Sequence, residues 1–392
     1  MIDYNKYLNK TIREIPLSPI EKISLMAAQT KDCILLGVGE PDFRTPWRIR
    51  EAGIQALEKG KTWYSPGLGL KPLKQAICDY QRRRFKLDYK PEEVMVTVGG
   101  SEGIDMMFRV MLEEGDEVIL PTPCYVSYDP IAKLCGAKVV EVELKQENDF
   151  KLTPEALKAA ITPKSKILVL PFPGNPTGAI MEEEDLHAIA DIIRDTEIFV
   201  MTDEIYAELT YGQYQHVSFA SIPGMKERTV VINGFSKAYA MTGWRLGYAM
   251  GPKPIIDAMS KLHQVAVICA PTTSQYAAVV AMNECDDEID TMRRSYDMRR
   301  RFLINELNSI GLNCYNAQGA FYVFADISCT GMTSEEFCVN LLQKNRVAVI
   351  PGNAFGKAGE GFVRISYSYS LDHLMEATKR IGEFMENLRK EA

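Results

Sequence analysis

The chain has 392 residues, 46% hydrophobic and 25% charged, and its 45 Lys and Arg against 52 Asp and Glu leave a net charge of −7. That length exceeds one ordinary core and predicts two or three domains, while the composition is that of a soluble globular protein. The acidic balance argues against a nucleic-acid surface, and the triplets Arg82–Arg84 and Arg299–Arg301 fall in helix-like segments where they read as solvated faces. No apolar run reaches membrane-span length, and Met1–Lys6 lacks the basic and apolar regions of a signal peptide. Nine cysteines without CxxC pairs predict reduced thiols in a cytoplasm, and four scattered histidines predict no metal site.

In chain order, residues 1–30 read as an N-terminal arm, with Ser18 capping and Pro19 opening a helix through Met26. Cys33–Leu36 reads as a short strand entering the irregular string Gly37-Val-Gly39-Glu-Pro-Asp-Phe43. This is not a dinucleotide fingerprint, because Asp42 stands where the third glycine belongs. From 47 to 285 strand and helix signals alternate, as in an α/β domain with a mostly parallel sheet. Seven strands are predicted, over 93–98, 117–120, 138–142, 167–170, 197–201, 229–232 and 246–250, with helices among them over 72–85, 102–112, 154–161 and 182–194. After 285 a charged helix (286–310) leads into a smaller α+β domain with strands near 320–325, 347–350 and 362–366. A terminal helix follows, with Leu371, Leu374, Met375, Ile381, Phe384, Met385 and Leu388 on one stripe. The predicted division is 1–46 (arm and part of the small domain), 47–285 (large domain) and 286–392 (small domain).

Polar residues cluster directly after the apolar strands, where open α/β sheets bind ligands. Gly99-Gly-Ser-Glu-Gly103 opens a helix whose free amides would suit an anion. The same letters spell G-x-S-x-G, the nucleophile elbow of a serine hydrolase, with Ser101 as nucleophile. That reading has only His373 as a plausible downstream histidine and leaves the later motifs without a role. Tyr125 offers a ring for stacking, and ordinary packing explains it equally well. Asn175, in Pro171-Phe-Pro-Gly-Asn-Pro-Thr-Gly178, could donate to a phenolate-like oxygen from a turn able to hold cis prolines. Asp203, after Ile198–Met201, is an acid at a buried strand end that needs a cation or donors, and a nearby Arg or helix end is the plainer partner. Tyr206 follows three residues on. Arg364, between apolar neighbours in 361–367, could grip a carboxylate with its planar fork or form a structural ion pair.

The most loaded stretch is Gly234-Phe-Ser-Lys-Ala-Tyr-Ala-Met-Thr-Gly-Trp-Arg-Leu-Gly-Tyr248. Lys237 follows a buried strand, with Ser236 and Arg245 able to bond an anionic oxygen beside it. A lysine next to a phosphate-sized anion site points to Schiff-base chemistry.

The whole series resembles the class I/II, fold-type I aminotransferases, in particular the aspartate/aromatic group. The likeness runs from Gly37–Phe43 through Tyr64, Tyr125, Asn175, Asp203, Tyr206, Ser236–Lys237 and Arg245 to Arg364. It implies the pyridoxal phosphate (PLP)-dependent transferase fold and a homodimer. It also implies Lys237 as the covalent anchor and proton carrier, and Asp203 as partner of the pyridinium. Asn175 and Tyr206 would bond the ring oxygen, with Tyr125 stacked on the ring. Gly100, Ser101, Glu102, Ser236 and Arg245 would hold the phosphate, with Tyr64 reaching across from the neighbouring subunit. Gly39, Asn175 and Arg364 would hold the substrate. The substrates implied are amino acids and 2-oxo acids, with no nucleic acid or membrane as partner. Aspartate-specific relatives carry a basic residue where this chain has Ser101. Aromatic or large neutral donors are therefore expected, with 2-oxoglutarate as acceptor; aspartate preference or β-lyase chemistry are the alternatives.

Overall fold

The computed structural model describes residues 2–16 and 18–391. Its first strand, β1 (Ile34–Leu35), pairs in parallel with a strand more than three hundred residues later. Seven strands then build the main sheet: β2 (Val94–Thr97), β3 (Glu117–Thr122), β4 (Lys138–Glu143), β5 (Ser165–Leu170), β6 (Phe199–Asp203), β7 (Thr229–Gly234) and β8 (Gly247–Met250). Their order across the sheet is β2-β8-β7-β6-β5-β3-β4. All run parallel except β8, which is antiparallel to both neighbours. The link 235–246 contains no crossover helix, only a 3-10 turn at Thr242–Trp244, so the chain folds straight back beside β7. Strands β5 to β7 are continuous apolar runs because helices cover both faces of the sheet.

Register decides where the functional loops emerge. Leu170 lies beside Thr202 and Asp203 beside Ile232, so the carboxyl ends of β5, β6 and β7 are level. The helix after β2 starts at Gly99 rather than at 102, which places the glycine pair inside its first turn.

The remaining strands are β9 (Asn313–Cys314), β10 (Tyr322–Asp326), β11 (Val347–Ala348), β12 (Ile350–Pro351) and β13 (Phe362–Ser366). Residues 347–350, expected as one strand, serve two sheets: β11 pairs with β1, and β12 joins the antiparallel sheet β12-β13-β10-β9. Arg364 sits on β13 between Phe324 of β10 and Ile350 of β12. The arm helix Pro19–Gln29 starts as predicted, with the Ser18 hydroxyl accepting from the Ile20 amide at 3.3 Å. Its Ile23 and Ala27 join one buried cluster that runs through Leu168 and Leu170 of the main sheet to Val363 and Ile365 of the smaller one. This packing brings β13 over the carboxyl edge of the main sheet. All nine cysteines are free thiols, and no helix among the described residues is long and apolar enough to cross a membrane.

Candidate active site

A cavity of about 660 Å³ opens between the carboxyl edge of the main sheet, the 37–40 segment and β13. All the residues expected at the site line it except Glu102 and Tyr64. Lys237 stands half-buried in its wall, with Nζ donating to the Gly39 carbonyl at 2.5 Å. Burial pulls its amine down to about 8, with the nearby positive charges of Arg364 and Arg245 adding to the effect and Glu40 opposing it. Such an amine is neutral for an appreciable fraction of the time near neutral pH, as a nucleophile and base must be.

Asp203 is the last residue of β6 and is buried. Its Oδ2 accepts from the Tyr128 hydroxyl at 2.6 Å and its Oδ1 from the Ile205 amide at 3.2 Å. Burial still raises its carboxyl above the ordinary range, and no cationic nitrogen among the described residues lies within 4 Å. This acid is aimed into a cavity without the cation that would keep it ionised.

The anion cradle is built by close backbone approach. Gly99 has φ +74°, and a Cβ there would lie 2.8 Å from Nη2 of Arg245. A Cβ on Gly247 would fall 2.5 Å from the Gly99 carbonyl carbon and 2.6 Å from the Gly100 amide nitrogen. Free amides of the helix Gly99–Met111, the Ser101 and Ser236 side chains and the Arg245 guanidinium thus converge on one wall. The Glu102 side chain turns away from it. Its carboxylate accepts from the Val98 amide at 2.5 Å and faces Nδ1 of His263 at 3.0 Å, so only its backbone is left for the cradle. Tyr64 is 74% exposed on the outer surface.

Opposite the cradle, Arg364 is 4% exposed. Its Nη1 donates to Asn175 Oδ1 and its Nη2 to the Gly37 carbonyl, both at 2.7 Å, while Nε has no partner. No carboxylate among the described residues lies within 4 Å. The guanidinium packs 4.4 Å over the ring of Tyr322 and 4.7 Å from that of Phe355. A buried, hydrogen-bonded cation without an anion is a receptor for one.

Two residues here escaped sequence reasoning. Tyr128 lay in the same string as Tyr125, but only the turn after β3 shows that it, and not its neighbour, reaches Asp203. Tyr322, whose hydroxyl lies 2.7 Å from that of Tyr206, carries no local signal, because its place follows from the pairing of β10 with β13. The serine-hydrolase reading fails: His263 is engaged by Glu102 and His373 by Ser370, and no histidine among the described residues bonds Ser101.

The donor set fits PLP: a buried carboxylate short of a cation, a backbone cradle that one added methyl group would fill, and a lysine of lowered basicity between them. Fold and site together define a fold-type I PLP enzyme. Residues 31–381 match the family model for aminotransferase class I and II. An aspartate aminotransferase of Pyrococcus abyssi is 43% identical over 371 residues, covering 94% of this chain and 95% of that protein. The crystal structure of an aromatic aminotransferase from Pyrococcus horikoshii superposes with a TM-score of 0.90 at 41% identity, covering 94% of this chain and all of the other. The aspartate aminotransferase of Thermus thermophilus with maleate gives 0.92 at 36% identity over 96% of this chain and 99% of that one. The chain belongs to the class I and II aminotransferase family, and it is a PLP-dependent enzyme that moves amino groups between amino acids and 2-oxo acids.

Proposed function

We propose that this enzyme takes aromatic or large neutral L-amino acids as donors and a 2-oxo acid such as 2-oxoglutarate as acceptor, in ping-pong order. The observation that carries this reading is the charge inventory of the cavity. Among the described residues its only lysine or arginine side chains are those of Lys237, Arg245 and Arg364, and each has a task before a distal carboxylate is considered. The rest of the wall includes Ile20, Val38, Tyr125, Val126 and Phe355, and Glu40 adds a negative charge that opposes an acidic side chain. Kinship supports aspartate as readily as aromatic substrates, since the relatives carry both names; the lining favours the neutral ones. A 2-oxoglutarate distal carboxylate would be met by water and by the Ser24 hydroxyl, which would give up its bond to the Ile20 carbonyl. Comparing kcat/KM for phenylalanine, tyrosine, leucine and aspartate tests the reading. A tenfold preference for aspartate, about 1.4 kcal/mol, would overturn it.

In this reading Lys237 would anchor the cofactor, Asp203 would favour a proton on its ring nitrogen, and Asn175 and Tyr206 would bond its ring oxygen. Gly100, Ser101, Glu102 through its backbone, Ser236 and Arg245 would hold the phosphate, and Tyr125 would stack on the ring. When bound, the cofactor supplies an electron-withdrawing ring that accepts the electron pair left at the substrate Cα. Arg364 and the Gly39 segment hold the α-carboxylate, which presents the Cα proton to Lys237 Nζ. Lys237 Nζ would take that proton and give it back, acting as base and then acid. The arm and the 286–392 unit close over the substrate and exclude water. We assign the enzyme to a homodimer in the cytoplasm, with Tyr64 serving the neighbouring subunit; the exposure of Tyr64 and the free thiols support this.

A further inference from the structure

Tyr322 touches each of the working parts without belonging to any of them. It is 1% exposed, its ring lies under the Arg364 guanidinium, and its hydroxyl is 2.7 Å from that of Tyr206. The same hydroxyl abuts Gly39, where an added Cβ would lie 2.5 Å from it, and the Gly39 carbonyl accepts from Lys237. Two hydroxyls joined by one hydrogen bond use one proton between them and leave the other free. Either Tyr206 donates to Tyr322, or Tyr322 donates and the Tyr206 proton is free to point into the cavity. The choice depends on charge. An unpaired Arg364 cation against the Tyr322 ring makes that phenol the more acidic of the two, and so the better donor to Tyr206. A carboxylate on Arg364 cancels this bias and lets Tyr206 become the donor.

We propose that Tyr322 is a positioning residue that ties the direction of the Tyr206 hydroxyl proton to the occupancy of Arg364 by a carboxylate. The proposal rests on the reading above, in which Arg364 takes the α-carboxylate and Tyr206 faces the ring oxygen of the cofactor. It makes substrate recognition act at a distance: filling the carboxylate clamp turns the Tyr206 proton away from the cofactor and toward Tyr322. Burial pushes both phenols above their ordinary range, so both remain protonated and the switch moves a proton's direction rather than its number.

The test uses the holoenzyme and 3-phenylpropionate, which carries the carboxylate and the ring but has no amine to transfer. Calorimetry reads its binding and the visible cofactor band reads the electronic response, at one pH. Wild-type enzyme should bind the probe and shift its band. Tyr322→Phe should bind within about threefold of wild type yet lose at least about half of the shift. Tyr206→Phe reads the link from the other hydroxyl, so the test survives a Tyr322→Phe protein that loads poorly. The double variant should lose no more than either single one, as expected for two groups acting as a unit. A full shift in Tyr322→Phe, or binding to wild type without any shift, would overturn the proposal. Arg364→Leu separates the two levels. If it binds the probe as tightly as wild type, the carboxylate assignment itself has failed and the proposal with it. If it loses binding while Tyr322→Phe keeps the full shift, only the role of Tyr322 is refuted.

Discussion

Lys237 trades stability for reactivity. Its folded-state basicity is held at about 8, against 10.5 for an unperturbed lysine. Between those values the unfolded chain keeps the proton that the folded chain has lost, so the stability of the cofactor-free protein rises with pH across that window. Below about 8 the cost of holding the charge in the fold is fully present. Lys237→Met should therefore make the cofactor-free protein more stable at pH 7, by roughly 1–3 kcal/mol, with the advantage fading toward pH 10.5. Urea unfolding at both pH values reads this, and equal stability at pH 7 would contradict it. Lys237→Ala should abolish turnover while keeping the fold. Borohydride treatment of the wild-type holoenzyme should fix the cofactor's mass on the peptide that contains Lys237. At Arg364, replacing the planar fork by a point charge leaves Asn175 Oδ1 and the Gly37 carbonyl short of donors. Arg364→Lys should cost on the order of 3–5 kcal/mol in kcat/KM for every amino acid. Amines lacking a carboxylate should be little affected, and an equal loss for them would remove the arginine from the carboxylate role.

At the scale of elements, the anion cradle depends on β8 pressing its first residue against the start of the Gly99–Met111 helix. Both atoms met by a Cβ on Gly247 belong to backbone, so no flexible side chain can yield. Gly247→Ala must displace the Gly99–Gly100 turn. The expected result is at least a tenfold weaker hold on PLP, about 1.4 kcal/mol, in absorbance titrations of the cofactor-free protein. Unchanged affinity would show that the phosphate does not sit on this turn. The turn itself was visible in the sequence as Gly-Gly-Ser before a helical pattern. The pressure from β8 was not, because it arises from the antiparallel pairing of Thr97 with Gly247 across the sheet.

For the whole molecule, the outer surface carries large apolar side chains in unusual exposure: Trp47 at 56%, Trp63 at 58%, Tyr64 at 74% and Val265 at 81%. Their exposure is compatible with the homodimer proposed above. If Tyr64 acts across a two-fold axis, as proposed above, Lys237→Ala and Tyr64→Ala subunits should complement each other. A mixed dimer has one site with both residues intact, so refolding an equal mixture should recover roughly a quarter of wild-type activity. No recovery, in a mixture shown by mass spectrometry to contain hybrids, would place Tyr64 in the service of its own subunit.

The sequence by itself determined the succession of strands along the chain, the loops after them and the family to which the chain belongs. Apolar runs such as Ile167–Leu170, bounded by turn signals, read as buried strands; Asp203 ends one, Arg364 lies within one, and Asn175 and Lys237 follow in the loops after theirs. Local pattern suffices there because burial and backbone geometry act over a few residues. Tertiary structure decided what depends on residues far apart in the chain. It split 347–350 between two sheets and gave Asp203 the hydroxyl of Tyr128 in place of a cation. It set Arg364 over Tyr322 without a counter-charge. Those outcomes follow from register between strands that are distant in sequence and from packing of the small sheet onto the carboxyl edge of the large one. No window of neighbouring residues contains them.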